Sequence, residues 1–60
     1  MENSIINSKI VELAVRNIRA SNVNVEEAYS LALREASQYF QTDLDMPISL
    51  SVKRLIEMKI

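Results

Sequence analysis

The side chains able to do chemistry in this sequence are few: Tyr29 and Tyr39, a carboxylate pair at Asp43 and Asp45, and scattered Glu, Lys and Arg residues. Thr42-Asp43-Leu44-Asp45 has a D-x-D spacing that sets two carboxylates where a hard cation can meet them. Calcium takes about six to eight oxygens, however, and the glycine and terminal glutamate of an EF-hand loop are missing. Turn formation and helix capping account for both aspartates, so no metal site is expected. Neither tyrosine has a partner at a spacing that makes an acid–base or nucleophile pair.

The sequence contains no His, Cys, Gly or Trp. It therefore lacks a side chain poised near neutral pH, a soft metal ligand and a strong nucleophile, and it cannot build a glycine-rich phosphate cradle. Catalysis, a cofactor and a small-molecule substrate are not expected; a binding role is.

Residues 1–60 make one small domain, of a size that buries only about 60% of its unfolded surface. Such domains usually recruit disulfides, a metal or a partner. The first two need residues this chain does not have, so homo-oligomerisation or docking on a larger protein is the expected stabiliser. With 48% hydrophobic and 25% charged residues the composition is that of a folded domain. No apolar run approaches the roughly 18 residues of a membrane span, and Met1-Glu2-Asn3-Ser4 has neither a basic nor an apolar leader region. A cytoplasmic protein without membrane contact is expected. The charge is +1 over residues 1–22, −4 over 23–46 and +2 over 47–60, which gives no general nucleic-acid footprint.

The elements that position these residues read as helices. From Ser4 to Ala20, Ile6, Ile10, Val11, Leu13, Ala14, Val15 and Ile18 share one arc at helical spacing, opposite Lys9, Glu12, Arg16 and Arg19. Asn3 or Ser4 suits the N-cap, and Glu12 and Arg16 stand at i,i+4. The arc spans roughly 200°, more than one neighbour covers, so this helix must be contacted from two directions. Asn24 and Glu27 have capping-box spacing, with Val23 and Ala28 as a hydrophobic staple, so a second helix should begin at Val25. Its stripe contains Ala28, Tyr29, Ala32, Leu33, Ala36, Tyr39 and Phe40. The alanine ridge allows close approach, and the short link predicts an antiparallel helical hairpin.

Residues 44–52 alternate at a strand period, while Ile48, Val52, Leu55, Ile56 and Ile60 fit a helix. A helix from Pro47 to Met58 is expected, because proline suits a first turn and a lone strand has no partner. The expected fold is all-α, a hairpin plus a shorter third helix, and oligomeric.

Asn17 lies near the middle of the first helix's apolar arc, where an amide must find a hydrogen bond. It either bonds a loop carbonyl or the hairpin edge, or pairs with its counterpart across a symmetric dimer and fixes register. Val11, Val15 and Ile18, with Leu31 and Leu50, are apolar residues lacking an obvious neighbour within one chain, and form the candidate interface. The expected function is a non-catalytic protein–protein interaction module, regulatory, inhibitory or structural. The alternative is a dimeric DNA-binding regulator reading through Ser49, Ser51, Lys53 and Arg54, with helical or β-ribbon geometry. Basic residues near a helix end also complement its dipole, which favours the first reading.

Overall fold

The computed structural model describes residues 3–45 and 47–60, and these form three helices: α1 (Asn3–Ser21), α2 (Val25–Tyr39) and α3 (Leu50–Lys59). The expected caps of α1, Asn3 and Ser4, lie outside the described side chains. No strand occurs among the described residues; of residues 44–52, Leu44, Asp45 and Pro47–Ser49 lie in the link and Leu50–Val52 in helix.

The start of α2 is set as its sequence requires. Asn24 is extended (φ −75°, ψ 171°), and its Oδ1 accepts the Glu27 backbone N–H at 2.7 Å, satisfying one of the free donors of the first turn. The helix ends are less conventional, because the chain has no glycine for the left-handed residue that closes a helix. Asn22 takes that conformation after α1 (φ 54°), and its N–H bonds the Ile18 carbonyl at 2.8 Å. Gln41 takes it after α2 (φ 53°). The N–H of Gln41 then bonds the Gln38 carbonyl at 3.2 Å and that of Thr42 bonds the Ser37 carbonyl at 3.0 Å. This is a Schellman closure built on a residue that carries a Cβ.

The link to α3 is held by Ser37, whose hydroxyl donates to the Leu33 carbonyl at 2.8 Å and accepts the Leu44 N–H at 3.1 Å. Leu44 and Ile48 of the link pack against the core. Helix α3 begins at Leu50, three residues later than Pro47. Ser49 supplies the cap: it is extended (φ −93°, ψ 158°), and its Oγ accepts the Val52 N–H at 3.2 Å.

The core answers the breadth of α1's apolar arc. On one flank α2 contributes Ala28, Ala32 and Ala36, each fully buried in the same core as Ile10 and Ala14. On the other α3 contributes Val52 and Ile56. Val11 and Val15, expected to need a second polypeptide, are covered within the chain at 4% and 9% exposure. Ile18 is half-buried against the same core. The radius of gyration, 10.4 Å, matches the roughly 10 Å of a folded domain of this length.

Tyr29 is buried as expected, its hydroxyl donating to the Pro47 carbonyl at 3.5 Å, and burial pushes its ionisation up. Tyr39, expected on the same stripe, is instead 64% exposed. It stands edge-on to Phe40 at 4.9 Å, with the Lys9 ammonium 4.4 Å from its ring centre. In the last turn of α2 it meets the polar flank of α1 rather than the apolar one.

The left-handed Gln41 is a point of stored strain. A side-chain-bearing residue there costs about 1–2 kcal/mol, and glycine gives back about 0.4–1 kcal/mol through the unfolded chain. Gln41→Gly should therefore stabilise by about 1 kcal/mol, raising the melting temperature by about 4–8 °C. Thermal unfolding followed by circular dichroism checks this; an unchanged or lowered midpoint would contradict the strained cap.

Candidate functional site

An open groove of about 1230 Å³ runs between α1 and α3. Its floor and wall are apolar, made by Val11, Val15 and Ala20 of α1 and Leu55 of α3. Val11 and Val15 show only their edges, whereas Leu55 is 44% exposed. Leu55 lies one position before buried Ile56, hence about 100° round α3 from the core seam. It therefore flanks the core rather than filling it. Met58, one turn further along the same side of α3, is more exposed still.

The polar residues around this floor are unequal in charge: Arg16, Arg19 and Lys59 against Glu12. Arg19 also has a structural task, since its Nη2 donates to the Lys59 carbonyl at 2.8 Å. That bond satisfies one of the free carbonyls at the end of α3 and ties it to the last turn of α1. Glu12 pairs with Lys9 at 3.5 Å rather than with Arg16. Among the described residues Arg16 has no ion-pair partner.

A smaller groove of about 450 Å³ lies on the other side of Ser8 and Glu12, between Ile5 and the exposed ring of Tyr39. Both grooves share Ser8 and Glu12, so one outward strip of α1 is bordered by apolar surface on each side.

The sequence-predicted interface residues do not all converge here. Val11 and Val15 form the groove floor, but Ile18, Leu31 and Leu50 do not line it. Leu31 is marginally exposed on α2 and Leu50 is 65% exposed at the start of α3. Asn17 finds both its donors' partners inside the chain, with Nδ2 bonding the Leu13 carbonyl at 3.0 Å and the Glu35 Oε1 of α2 at 2.8 Å. The Glu35 contact lies at the edge between α1 and α2, and Nδ2 needs neither a loop carbonyl nor a second Asn17. The residues missed from sequence are Leu55, Arg16, Arg19 and Lys59. Their grouping depends on where α3 crosses α1, and no local spacing encodes it.

Of the four basic-segment candidates, Ser49 is the α3 cap and Lys53 pairs with Glu26 of α2 at 2.9 Å, while Ser51 and Arg54 are exposed. The pair holds the Glu26 carboxyl below its ordinary range, chiefly through the hydrogen bond from Lys53, and raises the Lys53 ammonium in return. Asp43 and Asp45 are exposed in the link, and no group of three or more potential ligands occurs among the described residues. Also among these residues, no helix is long and apolar enough to cross a membrane.

No protein-family model matches this chain, and no curated protein or solved structure matches it significantly.

The Glu26–Lys53 pair links α2 to α3 and gives stability a defined pH response. Because the folded pKa of Glu26 is lowered, its contribution is present above the ordinary value of 4.5 and is lost as pH falls through the folded one. For Lys53 the folded value is raised, so its contribution is present below 10.5 and is lost on the alkaline side. Glu26→Gln should flatten the acid limb of the denaturation midpoint against pH. An acid limb identical to that of the parent protein would show that the pair does not link α2 to α3 in solution.

Proposed function

We propose that this chain is a non-catalytic protein–protein interaction module, a small regulatory, inhibitory or structural protein of the cytoplasm that docks another polypeptide in the groove between α1 and α3. The supporting observation is the groove itself: half-exposed Leu55 beside the edges of the otherwise buried Val11 and Val15, open to solvent and bordered by charge. Isolated exposed leucines are ordinary. A concave apolar surface with a polar rim is the form that helix-in-groove recognition uses.

In this reading α1 and α2 form an antiparallel hairpin, supported by the pairing of Lys9 with Tyr39 near one end and of Asn17 with Glu35 farther along. The hairpin is the rigid platform, and α3 supplies the groove's second wall. Docking on a second copy or on a larger protein both use this wall, and neither is needed to close the core. The DNA-binding alternative draws less support, because Ser49 and Lys53 already serve the fold and the segment that would make a β-ribbon has no strand among its described residues.

The test is a nitrogen-15 spectrum of the full chain, recorded over a concentration series and with an uncharged amphipathic helical peptide. Resonances of Val11, Val15, Leu55 and Lys59 should shift in at least one of the two. Leu55→Glu should weaken that response at least about tenfold, and Ala20→Glu, at an already exposed position, should do the same with helix content unchanged. No shift at these residues up to about 1 mM in either experiment would overturn the proposal.

A further inference from the structure

We infer that the occupant of this groove is an acidic amphipathic α-helix belonging to another protein. This rests on the groove's being a docking surface, as proposed above, and adds the chemistry of the partner.

Three observations carry it. The lining runs along α1 from Asn7 to Ala20, which at 1.5 Å per residue is roughly 20 Å, enough for three to four turns of a helix. Val11 and Val15, one turn apart on α1, line the groove with Leu55; Leu55 supplies most of the accessible apolar surface and the two valines only their edges, a narrow seam that suits the apolar stripe of one amphipathic helix. Around that floor, Arg16, Arg19 and Lys59 outweigh Glu12 and leave a net charge of +2. The C-terminal ends of α1 and α3, held together by the Arg19–Lys59 bond, bring about half a negative charge each. A net positive rim survives that subtraction, and Arg16 is unpaired within the described residues.

A second copy fits less well. The acidic outward face of α2 offers Leu31 alone, set among Glu27, Arg34 and Glu35, and the exposed Leu50 and Met58 of α3 stand four residues either side of Arg54, a cation that the groove's rim repels. Laying α1 against another α1 brings the same cationic rims together. Duplex DNA would meet the cations but leave the apolar floor without a counterpart.

The experiment uses the full chain and three synthetic helical peptides that share one apolar stripe and carry Glu, Gln or Lys at every other position, with mixed-sequence duplex DNA as a fourth probe. Fluorescence anisotropy gives affinities, and nitrogen-15 shifts locate the site. The Glu peptide should bind in the α1–α3 groove about tenfold or more tighter than the Lys peptide, with Gln between, and added salt should shrink the difference. Arg16→Glu, at an exposed position, should abolish or reverse that order without changing helix content. Equal binding of all three peptides, or any smaller ratio, overturns the acidic partner while leaving the groove as a docking surface. So does self-association that shifts the same residues when no peptide binds. Silence from every peptide and from the concentration series removes both the partner and the docking surface, and so does DNA as the sole ligand.

Discussion

Helix α1 must be buried from two sides, and the rest of the molecule follows from that requirement. Its apolar side chains wrap through roughly 200°, about twice what one neighbouring helix covers. The fully buried alanines of α2 let that helix approach closely on one flank. Val52 and Ile56 of α3 seal the other, so that Val11 and Val15 are nearly inaccessible without any second chain.

Delivering α3 to that flank falls to the link between Phe40 and Ser49, in a sequence with no glycine to turn corners. Gln41 bears the left-handed conformation, the Ser37 hydroxyl grips Leu44, and the Ser49 hydroxyl restarts the helix. Arg19 then fastens the far end of α3 by bonding the Lys59 carbonyl. Because α3 is short and packs through one narrow seam, Leu55 is left beside the seam rather than in it. The same geometry that closes the core thus opens the groove.

Some of this was legible in the residues. The Asn24–Glu27 spacing marks the start of α2, the Ala28, Ala32 and Ala36 ridge marks its buried side, and the width of α1's arc calls for two neighbours. The source of the second neighbour was not legible. Reading Val11 and Val15 as surplus assumed that a short third segment could not reach them, and only the path through Ser37 and Ser49 shows that it does. The start of α3 was misplaced because Pro47 is a good first-turn residue, yet a side-chain hydroxyl two positions later makes a better cap. Tyr39 shares the stripe of the buried residues yet is exposed, because stripe position says nothing about which flank of α1 it will meet. The groove's charge was invisible for the same reason, since Arg16, Arg19 and Lys59 come together only across two helices.

Among the described residues the core closes within one chain, so the docking proposed for the groove is not needed to complete the fold. Melting temperature measured from low to high micromolar protein tests that closure directly, since association that completes a core makes the midpoint depend on concentration. A midpoint that stays fixed across the range is the predicted result. One that climbs steadily with concentration would contradict it, showing that α3 does not seal α1 and that a second chain does.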